Sequence, residues 1–371
     1  MVKNPFYFGN EVYDEDFCNR VKELEELKKD IDVGLNILLY APRRFGKTSL
    51  LKKLQNDLKN DASYKVVFFD LFSVSSIDEF IQKYFNVLAI ALETTPDKIL
   101  SLFKSTFSIR PNITATLNQN GETSFGLSFS KSERNNSLED VLNLPLVYAK
   151  KMGVKVVVIF DEFQEIEQFE IEKKLRSVIQ THSKEVSYIF CGSKKSILSE
   201  MFNDRTRAFY KSVKHLHINE ISLEDWELFA SVKFERTDKI ITKEQIEHIY
   251  TITSGFPYYM QQLLFMVWDS TQSSVNDTII TTALKLMVER EYDLYSLIWS
   301  NLTPNQKKCV KYILAFNGEN LYANESLSDF SISATTLKST LEALAKKDVV
   351  DRKNDRYYLV DPFMKLWVER L

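Results

Sequence analysis

Glycine is scarce in this chain: nine residues in 371, about 2 in 100 where roughly 7 is usual. Few backbone positions can therefore require it, and those that keep it are informative. Gly46, Gly192 and Gly255 all fall in segments with chemical character. Cysteine is nearly absent. Cys18, Cys191 and Cys309 are too few and too far apart for a disulfide framework or a cysteine-based zinc site, and they fit a reducing compartment. An excess of one charge is also missing, with 48 Lys+Arg against 51 Asp+Glu. No global basic field points to nucleic acid, which leaves only a local patch. No apolar run approaches the ~18 residues of a membrane span, and residues 1–6 (MVKNPF) form no signal-peptide core. The expectation is a cytoplasmic protein without a membrane partner. What remains is 44% hydrophobic and 27% charged, ordinary globular usage, at a length suited to two or three domains.

Short apolar runs alternate with helical patterns through the first 220 residues. Residues 36–40 (NILLY), 65–72 (KVVFFDLF), 155–160 and 187–191 read as buried strands, too short for helices. Leu50, Leu51, Leu54 and Leu58 carry helical spacing, and residues 77–92 and 171–181 read as further helices. Alternation of this kind predicts an α/β fold, a P-loop-like parallel sheet sandwiched by helices. Residues 112–130 interrupt it with period-two alternation around Asn120-Gly121, a β-hairpin inserted between the second and third core strands. It is either a decorative hairpin or, through its free edge, a partner or oligomer contact. The pattern is helical from 222 to 299, a helical lid. Residues 300–371 read as helices followed by two short strands around 353–356, a winged helix-turn-helix. The predicted domains are thus an N-terminal segment (1–30), a core (31–221), the helical segment (222–299) and the winged helix (300–371).

Pro42-Arg43-Arg44-Phe45-Gly46-Lys47-Thr48 matches the phosphate-binding loop G-x-x-x-x-G-K-[ST], with Ala41 in place of the first glycine. Such a turn aims backbone N–H groups at phosphate oxygens beside a positive helix N-terminus, here followed by Ser49. Gly46 permits close approach, Lys47 supplies charge to the β/γ phosphates, and the Thr48 hydroxyl ligates Mg²⁺. A second segment, 156–162 (VVVIFDE), is an apolar strand ending in two acids. Ligands of parallel sheets bind at that carboxyl end. Asp161 holds Mg²⁺, directly or through water, and Glu162 orients and deprotonates the attacking water. Ser193, ending the strand 187–193, stands where it can sense the γ-phosphate. Arg20, before the first core strand, and Gly255 and Pro257 are candidates for contact with base or ribose. Arg43, Arg44, Arg205 and Arg207 are candidate γ-phosphate cations. His182, His215, His217 and His248 show no metal spacing beyond His215-x-His217, which alternates along an apparent strand and reads as structural.

The ordered set resembles the prokaryotic AAA+-related P-loop ATPases of the archaeal type, within the signal-transducing STAND class. The resemblance rests on Phe17-Cys-Asn-Arg20, Pro42–Thr48, Phe160-Asp-Glu-Phe-Gln164, Cys191-Gly-Ser193, Phe209-Tyr210, Glu224-Asp-Trp226, Gly255-Phe-Pro257 through Gln261, and Tyr357 through Phe363 with Trp367. It covers nearly the whole chain. It implies an ATPase core, lid and winged helix with ATP and Mg²⁺ as ligands, and a Gly-x-Pro motif in the lid that touches the nucleotide. Lys211 stands where such proteins commonly carry arginine, and lysine cannot make the planar bidentate contact of a finger. The function expected is a slow ATP-hydrolysing switch that couples nucleotide state to an unknown protein partner, with a homo-oligomer possible. The alternative is a DNA-binding AAA+ protein of the replication-initiator type, acting through the winged helix. A purely structural protein is disfavoured by the intact Lys47, Thr48, Asp161 and Glu162.

Overall fold

A computed structural model describes residues 3–9, 11, 12, 14–40, 42–92, 98, 102, 112–117 and 123–371. The described residues fall into two units, one of residues 20–41 and 47–218, the other of residues 1–19, 42–46 and 219–371. Ala41 and the hairpin tip at Asn120-Gly121 lie outside the described residues.

The first unit is built on five parallel strands: β1 (Ile37–Tyr40), β2 (Tyr64–Asp70), β5 (Lys155–Asp161), β6 (Val186–Gly192) and β7 (Lys214–His217), in the order β2-β5-β6-β1-β7. The central strands β1, β5 and β6 are apolar almost throughout because both faces are covered, with every residue of β1 and β6 buried, whereas the edge strand β7 (KHLH) buries only Leu216. Helices α1 (Val21–Asp32), α2 (Lys47–Lys59), α3 (Ile77–Ala91), α4 (Arg134–Met152), α5 (Glu172–His182) and α6 (Lys195–Asn203) complete the unit. Rings dominate the core. Phe160 stacks within 6.1 Å of both Tyr188 and Phe190, and Phe163 meets Phe190 at 4.5 Å. The inserted hairpin is present as β3 (Asn112–Leu117) and β4 (Thr123–Ser128), paired antiparallel, with Phe125 and Leu127 of β4 buried. Helix α4 was not anticipated; it runs nineteen residues with Pro145 inside it.

Strand register sets where the chemistry falls. Phe160 pairs with Phe190, Cys191 with Leu39, and Gly192 with Tyr40. The carboxyl ends of β5, β6 and β1 are therefore adjacent, bringing Asp161, Ser193 and Tyr40 to one edge of the sheet.

The second unit is helical: α7 (Leu223–Glu235), α8 (Lys243–Thr253), α9 (Pro257–Ser270), α10 (Asp277–Arg290) and α11 (Tyr292–Ser300). The winged helix follows with α12 (Pro304–Ala315), α13 (Asn324–Asp329), α14 (Ala334–Lys346), the hairpin β8 (Val350–Lys353) and β9 (Arg356–Leu359), and α15 (Pro362–Val368). Helix starts follow local chemistry. Thr303 and Gln306 form a capping box, and the Ser333 hydroxyl accepts the Thr336 N–H. No described helix is long and apolar enough to cross a membrane, and all three cysteines are buried and outside any disulfide.

One buried group couples the core to pH. The His182 Nε2–H donates to Asn143 Oδ1 at 3.1 Å, so Nδ1 accepts the Tyr188 hydroxyl at 2.7 Å. The ring is neutral. Burial, reinforced by Lys150, pulls its pKa from 6.5 to about 4. Between those values the unfolded chain binds the proton and the folded chain does not, so stability falls as the pH drops below about 6.5 and continues to fall toward 4. The loss reaches roughly 3 kcal/mol at acid pH. Denaturant melts of the wild type should show that decline, and His182→Gln should flatten it; parallel pH profiles for the two proteins would refute this assignment.

Candidate active site

The junction of loop and helix creates the first half of the site. Gly46 adopts φ 78°, and α2 begins at Lys47 with no acidic residue in its first turn. A Cβ at Gly46 would meet nothing within 4 Å, so backbone conformation, not crowding, requires glycine there. Lys47 is only 7% exposed at the positive end of its helix, an arrangement that favours an anion nearby. Ser49 is buried and Thr48 half-buried in the same turn.

Asp161 supplies the second half. The Thr48 hydroxyl donates to Asp161 Oδ2 at 3.0 Å, and the Glu162 N–H donates to Oδ1 at 2.9 Å. Burial raises the Asp161 pKa, against the lowering effect of these hydrogen bonds. A cation beside this carboxylate would relieve the cost of holding it charged. The donors fit magnesium: a hydroxyl and a carboxylate, both hard oxygens, with phosphate and water left to complete the shell. Among the described residues no cluster of three or more His, Cys, Asp or Glu could enclose a metal. The neighbouring Cys191 thiol is pushed well up by burial and by Asp161 and stays neutral.

Glu162 occupies a left-handed conformation at φ 50°, which turns its side chain off the end of β5. The carboxylate is held from two sides: Ser193 Oγ donates to Oε2 at 3.0 Å, and Gln164 Nε2 donates to the same oxygen. The Gln164 Oε1 is buried without a partner, and it lies only 2.1 Å from where a Cβ on Gly192 would stand. Gly192 thus clears space for the side chain that fixes Glu162. Gln164 carries no motif of its own, and its position two residues after the acid is the one local signal of this role.

Arg20 is buried at the start of α1 in a left-handed conformation, with Nη1 2.7 Å from Glu23. Arg207 is engaged by Glu167, Glu172 and Glu200, while Arg205 is exposed. Lys47, Thr48, Ser49, Asp161, Glu162, Ser193 and Arg20 all belong to the sheet-bearing unit.

Pro42, Arg43, Arg44, Phe45 and Gly46 belong to the other unit, as do Gly255 and Pro257. Within it, Gly255 has φ 68°, Phe256 caps α9 and Pro257 occupies its first turn. The Phe256 ring lies 4.6 Å from that of Phe45. The Gly-x-Pro segment therefore packs directly on the phosphate loop.

A family model described as an ATPase domain predominantly from Archaea matches residues 17–263, and one for a probable winged helix domain matches residues 293–370. An uncharacterized ATP-binding protein of Methanocaldococcus jannaschii is 26% identical over 72% of this chain and 77% of its own. Among solved structures, a Walker-type ATPase of Pyrococcus abyssi superimposes with a TM-score of 0.65 at 17% identity, over 97% of this chain and 98% of that one. The ORC2 protein of Aeropyrum pernix, solved with ADPNP and ADP, gives 0.53 at 14% identity over 98% and 95%. At these identities the likeness to the solved structures is one of fold. A match over residues 17–263, well over half of the sequence, makes the chain a member of the archaeal-type ATPase-domain family, here with a C-terminal winged helix.

Proposed function

We propose that this protein binds ATP with Mg²⁺ and hydrolyses it slowly, as a switch whose nucleotide state sets what its C-terminal winged helix can bind. The observation that carries the reading is the hydrogen-bonded series Thr48–Asp161–Glu162–Ser193 at adjacent strand ends. Lys47 and the N–H groups at the start of α2 would take the phosphates, with the preceding loop residues Pro42–Gly46 forming the turn. Magnesium, held by Thr48 and Asp161, would neutralise charge on the phosphate oxygens. Glu162 would orient a water and accept its proton as the water oxygen attacks the γ-phosphorus and the bond to ADP breaks. Ser193 and Gln164 hold the carboxylate in position for that transfer. Membership of the STAND or AAA+ class, and a role for Arg20, Gly255 and Pro257 near the base or ribose, belong to the same reading.

Charge favours a protein partner for the winged helix over DNA. Residues 301–371 hold 11 Lys+Arg against 9 Asp+Glu. On the presumed recognition helix α14 the exposed lysines, Lys338 and Lys346, share the surface with Glu342. Phosphate contacts depend on such cations, and two are few. The DNA-binding alternative predicts a mobility shift of duplex DNA by the full chain at low salt; its absence there removes that reading.

Glu162→Gln should retain ATP binding by calorimetry and lose hydrolysis by about a hundredfold or more, while Lys47→Ala should lose affinity. Equal turnover in both variants and the wild type would end the assignment. Gly192→Ala should drive Gln164 away from Glu162, lowering kcat about tenfold with ATP affinity within about twofold. Unchanged kcat would mean that Gln164 does not position the acid. Chelation of Mg²⁺ should abolish turnover in the wild type.

A further inference from the structure

Within the unit that holds residues 42–46 and 219–371, two consecutive arginines of the phosphate loop are directed to acids of the winged helix. Arg44 Nη1 donates to Asp361 Oδ2 at 3.1 Å and to the Tyr259 hydroxyl. The guanidinium carbon stands 4.8 Å from the centre of the Tyr258 ring and 5.2 Å from that of Tyr259. Its backbone is held as well, with the Tyr258 N–H donating to the Arg44 carbonyl at 3.4 Å. Arg43 Nη1 lies 3.4 Å from Asp348 Oδ2. Arg44 has φ 67°, a conformation costly for a residue with a side chain, so the contacts of the guanidinium offset strain in the loop.

Asp361 is a junction. Its Oδ1 caps α15 by accepting the N–H groups of Phe363 at 2.9 Å and Met364 at 3.2 Å, and it accepts the Tyr295 hydroxyl at 3.3 Å. One carboxylate therefore starts the last helix of the winged helix and anchors the crest of the phosphate loop.

We infer that Arg44 is a positioning residue: its pairing with Asp361 and Tyr259 holds the phosphate loop in its binding shape, so that nucleotide affinity and the seating of the winged helix are coupled. This rests on the reading of residues 42–48 as an ATP site and supplies the route by which that site communicates. Coupling is reciprocal. A partner that draws α15 away from Arg44 loosens the loop and weakens ATP binding, and ATP in turn tightens the winged helix. Arg44 does not serve as a phosphate ligand in this scheme.

Asp361→Asn isolates the pair, because asparagine caps a helix about as well as aspartate but offers Arg44 no charge. Calorimetry with MgATP on the full chain should show Arg44→Ala and Asp361→Asn each weakening binding about three- to tenfold. The double variant should be no weaker than either single one. An Asp361→Asn affinity that is unchanged or tighter, or additive losses in the double variant, would overturn the proposal, since a phosphate-binding Arg44 would be left alone or freed by that change. Hydrogen exchange on the nucleotide-free chain tests it independently of ATP. The amides of Arg44, Phe45 and Gly46 should exchange faster in Asp361→Asn than in wild type; equal protection would overturn the coupling. A wild type that binds no ATP while exchange does accelerate would instead refute the ATP reading and leave the latch standing.

Discussion

The site depends on one carboxylate placed at the end of a strand buried on both faces. Asp161 belongs to water by chemistry and to the core by position. It is tolerable there because Thr48 and the Glu162 backbone supply donors from two directions. Strand β5 can deliver it only if β2 and β6 flank it in register, with Asp70 opposite Asp161 on one side and Phe190 opposite Phe160 on the other. The aromatic stack beneath fixes that register, so packing several residues away determines where the charge stands.

What the sequence revealed, and what it did not, follows from the range of each interaction. Strands β1, β5 and β6 were legible because burial on both faces leaves an uninterrupted apolar run. The starts of α12 and α14 were legible because capping is settled within four residues. Helix α4 was not, because its buried positions include Ser137, Asp140 and Pro145 among the leucines, which blurs a single apolar face and reads as a break. Helix α13, at six residues, is too short for a period to emerge. Within the site, Lys47, Thr48, Asp161 and Glu162 announced themselves by motif. The hold of Gln164 and Ser193 on Glu162 did not, since it depends on which strand lies next to β5. The pair Arg44–Asp361 spans 317 residues, and nothing in local charge pattern marks two such groups as partners.

The lid motif shows what packing adds to a pattern. Gly255-Phe-Pro257 carries the expectation of a contact with base or ribose, and its neighbours have a further role in the fold. In the folded unit Phe256 lies against Phe45, and the helix that Pro257 opens brings Tyr258 and Tyr259 to Arg44. The aromatic residues of the lid thus pack on the loop residues Arg44 and Phe45. A motif can influence a bound ligand by holding the backbone that holds the ligand, and one sequence cannot separate that from direct contact.

Scarcity of glycine has a further consequence. Fourteen described residues other than glycine adopt positive φ, among them Arg44 and Glu162. Each carries a functional group on a backbone that glycine would occupy with less strain. Replacing either one by glycine would relax the chain and erase the group in the same step. At Arg44 that relief would be set against the lost hydrogen bonds to Asp361 and Tyr259, and at Glu162 against those from Ser193 and Gln164, so strain and contact are balanced within the same residue.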